Sequence, residues 1–259
     1  MISAKEEMFE LLAKGGKDYR ANVSVDNVIF GYHEKELKVL LFHNIHLSLW
    51  MLPSGYIKKS EDAETAAARV ARQRTGLDSL FLQQFKIFSD VGRNVDPLFT
   101  PEILGRLAGF PIDQNHWIFD PVISIGFYTL TEFSKVNINA GYFSEEAKWW
   151  DLADLPPLFL DHQLIINEAL KSLRLNLYHY PIGYELLPEK FTLPEIRILY
   201  ETILGKQMDD RNFARKLTSL GIIVKLDELK QMHGHRLPYL YKFNKEVYQQ
   251  ALTEGIFIS

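Results

Sequence analysis

The chain has 259 residues, of which 47% are hydrophobic and 24% charged, as is typical of a globular protein with one large or two smaller domains. It contains no cysteine, which excludes disulfides and thiolate metal sites. The net charge of −4 gives no indication of nucleic-acid binding by the whole chain, although residues 190–259 have a net charge of +3 and residues 1–189 of −7. No apolar run reaches the roughly 18 residues of a membrane span, and the charged N-terminal sequence lacks a signal core, so we expect a cytoplasmic protein with no membrane partner.

Apolar periodicity predicts a mixture of strands and helices in the first part of the chain. The predicted elements are a helix at 2–14, strands at 22–33, 37–44 and 49–57, a helix at 60–76, a strand at 80–90, a short helix at 101–109, a strand at 121–131, and a strand, turn and helix from 147 to 177. The first helix is expected to end at Gly15 and Gly16, and Ser60 is expected to cap the helix that Gly76 ends. Without a regular βαβ repeat, this order predicts an α+β fold with a mixed sheet.

The C-terminal part of the chain has a different order of elements. Helices are predicted at 192–205 and 209–221, and strands at 222–229 and 237–244. Thr192 and Glu195 have the spacing of a capping box, and Asp209 is placed to cap the second helix. Because two consecutive helices followed by a β-hairpin are typical of a winged helix-turn-helix, we predict two domains, at residues 1–180 and 181–259.

The stretch GYIKKSEDAETAAARVARQRTGL at residues 55–77 resembles the Nudix box, G-x5-E-x7-R-E-U-x-E-E-x-G-U, in which U is apolar. The matching positions are Gly55, Glu61, Arg69, Ala71, Gly76 and Leu77. The preceding WMLPSG is similar to the W-x-L-P-G-G that the Nudix family has before its box. The resemblance implies a Nudix fold, a mixed-sheet α/β/α sandwich, for the first domain.

Three positions that are glutamates in the Nudix box are Val70, Gln73 and Arg74 here. In Nudix hydrolases those carboxylates hold Mg²⁺ against a substrate diphosphate, and Mg²⁺ prefers charged oxygen ligands. Valine offers no ligand, glutamine offers one neutral oxygen, and arginine places a positive charge where the cation would lie. We therefore expect no metal, no other cofactor and no metal-activated hydrolysis, so the chain is predicted not to be an enzyme. Glu61 and Glu64 remain at the start of the helix, where we expect their charges to interact with the helix dipole rather than to take part in chemistry.

Residues 187–223 resemble the winged-helix domain of Nudix-related transcriptional regulators, a bacterial family that joins a Nudix domain to a DNA-binding tail. The resemblance covers roughly residues 22–90 and 121–245, and residues 91–120 look like an insertion. It implies a ligand-responsive transcriptional regulator. The family includes repressors of NAD synthesis that sense ADP-ribose and arabinose-responsive regulators, and the Arg-Val pair of this box is more similar to the sugar-responsive group.

The second helix of a winged-helix motif enters the major groove, and here that is the helix at 209–221. The residues expected to bind DNA are Arg211, Asn212, Arg215 and Lys216 in this helix, and Lys230, His233, His235 and Arg236 in the wing. Arginine can read guanine and asparagine can read adenine, whereas Lys216 and the wing residues are expected to contact phosphates. Because one winged helix covers few base pairs, we expect a homodimer on palindromic double-stranded operator DNA.

A Nudix cavity without a metal is expected to bind a small-molecule effector. The candidate effector-binding residues are Trp50, Ser54, Tyr56, Lys58, Arg74, Asp90 and Arg93. Aromatic stacking suits a sugar, whereas Lys58, Arg74 and Arg93 suit a phosphate or diphosphate such as that of ADP-ribose, and the sequence slightly favours the sugar. Two alternatives stay open: a Nudix hydrolase acting on ADP-ribose-like nucleoside diphosphate compounds, and a winged helix that binds another protein.

Overall fold

The computed structural model of the protein describes residues 4–44, 47–76, 80–133, 136, 144–231 and 237–255, with the backbone alone at 4–8, 14, 144–145 and 210–211. The chain forms two compact units, Met1–Gly31 with Lys38–Ala169 and Tyr32–Leu37 with Leu170–Ser259. The domain boundary predicted near residue 180 lies inside the second unit. Within the described ranges, no helix combines the length and apolarity needed to span a lipid bilayer.

The first unit is built on one sheet. Its elements are α1 (Ala4–Asp18), β1 (Tyr19–His33), β2 (Glu36–Asn44), β3 (Leu49–Met51), β4 (Ser54–Lys58), α2 (Ala63–Thr75), β5 (Gln83–Phe88), α3 (Pro101–Ala108), β6 (Ile123–Glu132), β7 (Ser144–Asp151) and the start of α4 (His162–Asn176). The seven strands in the described residues have the order β3-β2-β1-β6-β5, with β4 paired to β1 and β7 to β2. The register of β1 and β4 places Asp26 opposite Ser54 and Ser24 opposite Tyr56, so these polar side chains share one face of the sheet.

Helix α2 contains most of the Nudix-box residues. Its N-cap is Asp62, whose side chain accepts a hydrogen bond from the Thr65 amide at 2.8 Å, so the prediction of Ser60 as the cap was wrong. Gly76 ends the helix as predicted, in the left-handed conformation with φ of 70°. The buried cluster between α2 and the sheet consists of Val25, Ile57, Ala66, Ala67, Val70 and Phe127. This packing fixes which face of α2 turns away from the core.

The segment predicted as an insertion at 91–120 contains α3 and a short 3₁₀ helix at Trp117–Phe119. Both pack on α1, in a cluster that contains Leu12, Leu104 and Ile118. Helix α1 continues through Gly15 and Gly16 to Asp18, beyond the predicted end. A Cβ atom at Gly15 would lie 2.6 Å from the Trp117 ring, so this glycine is a packing surface for the inserted segment and not a helix stop.

The second unit contains α5 (Leu193–Leu204), α6 (Asp210–Ser219), β8 (Ile223–Leu229), β9 (Tyr239–Phe243) and α7 (Lys245–Glu254). The predicted capping box is present, because the Thr192 amide donates to the Glu195 carboxylate at 2.8 Å. The buried Tyr200 and Phe213 rings pack with centroids 4.8 Å apart and join α5 to α6. Helix α7 was not predicted from the sequence; Asn244 caps it with a side-chain bond from the Val247 amide at 3.5 Å.

Candidate functional site

The most specific residues of the Nudix box, Glu61 and Arg69, form an internal clamp. Arg69 Nε donates to Glu61 Oε2 at 3.0 Å, and Arg69 Nη2 donates to Glu61 Oε1 at 2.6 Å and to the Tyr56 carbonyl at 3.0 Å. The Lys58 amide also donates to Glu61, at 2.8 Å. The clamp ties α2 to the end of β4, and Gln73 lies at its edge, accepting a 3.5 Å bond from Arg69 Nη1.

The clamp sets the charge state of Glu61. Burial by itself would raise the pKa of this carboxyl, but hydrogen bonds from Arg69 and from the Lys58 amide, together with the Arg69 charge, lower it below its ordinary value. Glu61 is therefore ionised near neutral pH and accepts three hydrogen bonds from Arg69 and the Lys58 amide. It stabilises the fold in this arrangement.

Each of the three substituted box positions has a defined environment. Val70 is buried, and a Cβ at Gly55 would approach its Cγ2 atom to 2.7 Å. Gln73 is exposed at the side of the clamp. The Arg74 guanidinium lies over the Phe42 ring, 5.9 Å from its centroid, in cation–π range.

A cavity of about 240 Å³ opens beside these positions in the first unit. Arg69, Val70, Gln73 and Arg74 all line it, so the three substitutions occur in its wall. Its apolar side is formed by α1 and by the inserted segment, through Leu11, Leu12, Phe99, Leu104, Leu107 and Ile118. The polar lining from the sheet includes Ser24, Asp26, Asn44, Ser54 and Tyr56. The cavity is thus largely apolar with a few polar groups, as small-molecule sites are.

A buried ionic network holds the far wall of the cavity. Arg93 Nε and Nη2 each donate to the Asp161 carboxylate at 2.9 Å, and Nη2 also lies 3.4 Å from Asp26 Oδ2. Ser124 Oγ donates to Asp26 at 2.5 Å. Arg93 is only 9% exposed, and its charge is balanced by the buried Asp26 and by the partly buried Asp161. This network joins β1, β6, the start of the inserted segment and the turn before α4.

His162 completes the network as a neutral ring. Burial lowers its pKa, against the opposing effect of the Asp26 and Asp161 carboxylates. Its Nδ1 accepts a hydrogen bond from the Leu52 amide at 3.0 Å, so the proton of the neutral ring is on Nε2, which lies 3.7 Å from Asp26 Oδ1. Burial also raises the pKa of the neighbouring Tyr56 to about 12, so its hydroxyl stays protonated.

The predicted effector-binding residues fall into two groups. Ser54, Tyr56, Arg74 and Arg93 line the cavity, whereas Trp50, Lys58 and Asp90 are not among its lining residues. The Trp50 ring packs on Trp150 at 5.0 Å and on His43 at 5.1 Å. Because side chains alternate along a strand, its neighbour Met51 lines the cavity instead.

Sequence reasoning missed Asp26, Asp161 and His162 in this site. Asp26 lies in a strand otherwise rich in apolar residues, and that buried carboxylate was the one available signal. Asp161 directly precedes α4 and His162 is its first residue, and neither belongs to a recognisable sequence motif.

The predicted DNA-reading surface is the exposed side of α6. Phe213 and Leu217 are buried in the core of the second unit, which leaves Asn212 and Arg215 exposed and Lys216 half-buried. A groove beside these three residues is also lined by Lys206. The Arg211 side chain, and His233, His235 and Arg236 entirely, lie outside the described residues.

The predicted wing residue Lys230 is engaged within the second unit. Its Nζ donates to Glu195 Oε1 at 2.5 Å, and Glu195 is the capping-box residue of α5. Lys230 therefore links the wing to the first helix of the motif. Its ammonium has three N–H donors, so a phosphate contact by Lys230 would be made beside this bond and near the Glu195 carboxylate.

The residues of the first unit do not match the magnesium site of a Nudix hydrolase. The side chains of Val70 and Arg74 have no oxygen that could bind the ion. The remaining carboxylate of the box, Glu61, accepts hydrogen bonds from Arg69 and the Lys58 amide. Over the stretches that the structure describes, no three His, Asp or Glu side chains are grouped to hold a metal ion. The side chains present therefore do not fit a magnesium ion, which prefers charged oxygen ligands.

Comparison with known proteins finds relatives of both units. Residues 183–243 match the NrtR DNA-binding winged helix domain. The ADPR responsive transcriptional repressor NtrR of Acinetobacter baylyi is 25% identical over 233 residues, which cover 87% of this chain and 83% of that protein. The ADP-ribose pyrophosphatase of Methanocaldococcus jannaschii is 27% identical over 158 residues, 60% of this chain and 79% of that protein. Shewanella oneidensis NrtR, in its crystal structure with a 27mer DNA, has the same fold, with a TM-score of 0.66 and 24% identity over 88% of this chain and 95% of that chain.

These findings confirm the predicted fold class, an α+β Nudix domain followed by a winged helix-turn-helix. They also confirm the resemblance to Nudix-related transcriptional regulators.

Proposed function

We propose that this chain is a ligand-responsive transcriptional regulator. Its Nudix unit binds a sugar nucleotide of the ADP-ribose class without hydrolysing it, and its winged helix binds operator DNA. The observation that supports this most strongly is that Val70, Gln73 and Arg74, the substituted acidic positions, all line the cavity. The wall that would hold a cation in a hydrolase therefore has a neutral and cationic surface.

The charge of this wall favours an anionic ligand. Three arginines, Arg69, Arg74 and Arg93, line the cavity together with the single carboxylate of Asp26 among the described lining residues, so positive charge exceeds negative charge in the lining. In the proposal, Arg74 donates charge-assisted hydrogen bonds to the ligand diphosphate and so neutralises it without a divalent ion. The apolar side of the cavity, which includes Leu104 and Phe99, would pack against a base or sugar.

The ligand class differs from the slight preference of the sequence for a simple sugar. That preference depended on the Arg-Val pair of the box and on aromatic stacking. Of the two aromatic candidates, Tyr56 lines the cavity, whereas Trp50 packs against Trp150 outside the lining. The Acinetobacter baylyi relative, which matches this chain along most of its length, is described as ADPR responsive. Both observations support a nucleoside diphosphate sugar over a monosaccharide.

The DNA-binding half of the proposal uses α6 as the reading helix. Its exposed Asn212 and Arg215 side chains would face the major groove, and Lys216 would contact phosphate. Because one such helix covers few base pairs, the proposal includes a homodimer on a palindromic operator, which light scattering at micromolar concentration would detect.

Titration calorimetry of the full chain with ADP-ribose, ADP, ribose and arabinose tests the ligand class. We expect ADP-ribose to bind and the free sugars not to bind. Arg74→Ala should weaken ADP-ribose binding by about 10-fold to 100-fold, because a charge-assisted hydrogen bond contributes about 1.5–3 kcal/mol. Arg72→Ala is the matched control, since Arg72 is an exposed residue of the same helix that does not line the cavity. Binding of arabinose but not ADP-ribose would contradict the proposal.

Turnover separates the proposal from hydrolysis. The wild-type chain with ADP-ribose and either Mg²⁺ or Mn²⁺ should release no AMP. Release of AMP at a rate proportional to chain concentration would favour the hydrolase alternative, toward which the Methanocaldococcus jannaschii relative points.

A further inference from the structure

Three side chains at the start of α6 form a hydrogen-bonded series along one line of the helix. The Asp209 carboxylate accepts two hydrogen bonds from Asn212, one from its backbone N–H at 3.1 Å and one from its side-chain Nδ2 at 3.3 Å. Asn212 Oδ1 in turn accepts from Arg215 Nη2 at 2.6 Å. Residues three apart in a helix are neighbours on its surface, which makes this series geometrically natural.

The two partners fix the orientation of the Asn212 side chain. Arg215 can only donate, so it must face the amide oxygen, and the ionised Asp209 can only accept, so it must face the amide nitrogen. The reversed amide would place two donors against each other at one end and two acceptors at the other. Asn212 therefore lies along the helix, with its oxygen toward Arg215 and its nitrogen toward Asp209.

This orientation bears on which residue reads a base. An asparagine reads adenine by directing its oxygen and nitrogen together at one base edge. In Asn212 each of these two atoms already has one partner, and each retains one further hydrogen-bonding site. Holding Arg215 and contacting adenine are therefore two separate roles, which can be tested separately. Arg215 uses one N–H of its five for Asn212, which leaves a pair of donors for the O6 and N7 atoms of a guanine.

We infer that Asn212 is a positioning residue that holds the Arg215 guanidinium for guanine recognition, and that Asp209 orients Asn212. The inference rests on the proposed function, because it assumes that α6 reads DNA. It assigns Asn212 an effect that acts through Arg215, in place of the direct contact with adenine expected from the sequence. The two readings differ in which base pair of the operator depends on Asn212.

The test begins with the full wild-type chain and a randomised duplex library, from which bound sequences are selected. Each base pair of the selected duplex is then changed in turn, and the affinity of wild type, Arg215→Ala, Asn212→Ala and the double variant is measured at one fixed salt concentration. We expect both single variants to lose discrimination at the same G·C pair, by about 10-fold to 100-fold. The double variant should lose no more than Arg215→Ala alone, because both act through one contact.

Ser219→Ala is the matched control on the same helix, since its exposed hydroxyl donates only locally, to the Lys216 carbonyl at 2.9 Å. This variant should keep the wild-type preference at every position. Loss of preference at an A·T pair in Asn212→Ala, or unchanged preference at the G·C pair, would overturn the inference. If the wild type selects no sequence at all, the proposed function itself fails, and the inference fails with it.

Asp209→Ser separates positioning from helix capping. Serine can still cap α6 through one oxygen, but it lacks the second, charged oxygen that accepts from Asn212 Nδ2. We expect the second unit to keep its helix content by circular dichroism while discrimination at the G·C pair falls. Full discrimination by this variant would show that Asp209 does not orient Asn212.

Discussion

Arg69 donates hydrogen bonds to both carboxylate oxygens of Glu61, at 3.0 and 2.6 Å. These two residues, which match the Nudix box, form the structural clamp. The Glu61 side chain is 8% exposed and that of Arg69 22% exposed, so water screens the pair only weakly. The clamp consists of residues that match the box, whereas the three positions that differ from it, Val70, Gln73 and Arg74, all line the cavity.

Glu61→Gln should destabilise the first unit by about 2 kcal/mol at neutral pH, because hydrogen bonds to charged groups contribute about 1.5–3 kcal/mol. All four tryptophans of the chain lie in the first unit, so thermal unfolding followed by tryptophan fluorescence reports on that unit. Glu64→Gln, at an exposed glutamate in the first turn of the same helix, is the control and should change little. Equal stability of Glu61→Gln and wild type would contradict the clamp.

The clamp also predicts a pH dependence. Because the folded pKa of Glu61 is lowered, its contribution to stability is complete above the ordinary glutamate value of 4.5 and is lost as the pH falls through the folded pKa. The stability difference between wild type and Glu61→Gln should therefore shrink below pH 4.5. A difference that stays constant into acid would show that the ionised carboxylate is not the stabilising form.

The Val70 side chain leaves no room for a side chain at position 55. A Cβ at this glycine would lie 2.7 Å from Val70 Cγ2, so Gly55→Ala should cost about 1–3 kcal/mol through overpacking. Val70→Ala removes the obstructing methyl groups, and the Gly55→Ala substitution should cost much less in that background. The double-mutant cycle, followed by tryptophan fluorescence, measures this coupling, and strictly additive effects would contradict the close contact.

Arg93 is expected to be a structural residue of the cavity wall. Arg93→Ala leaves the buried Asp26 and the partly buried Asp161 without their counter-charge and should destabilise the first unit by about 3–5 kcal/mol. Lys86→Ala, which removes a partly exposed pair with Glu168 at 3.0 Å, is the matched control and should cost less than about 1 kcal/mol. If both substitutions changed thermal unfolding equally little, Arg93 would not stabilise the first unit through its two carboxylates.

Local signals explain most of what the sequence predicted correctly. The capping box of Thr192 and Glu195 and the terminal Gly76 act within one helical turn, so the residues alone define those helix ends. The winged-helix order followed from such signals. Helix α7 shows the limit, since its cap Asn244 follows directly on a strand and was assigned to that strand.

The candidate site depends on contacts that no local pattern contains. Arg93 reaches Asp26 and Asp161 across 67 and 68 positions of sequence, and only the folded sheet brings them together. Trp50 illustrates the opposite error, because a position next to the box does not determine which face of the strand its ring occupies. Lys230 and Asn212 were predicted as DNA contacts, and the bonds that engage them became visible only in the fold.

In the proposed mechanism, a nucleoside diphosphate sugar changes the affinity of the chain for DNA without being consumed. The most direct measurement is the affinity of the full chain for the duplex it selects from a randomised library, with and without ADP-ribose, in EDTA and in Mg²⁺. We predict that ADP-ribose changes this affinity by at least about fivefold in both buffers and is recovered intact. An affinity that ADP-ribose leaves unchanged, or an effect that requires Mg²⁺ and is accompanied by conversion of ADP-ribose to AMP, would contradict the account.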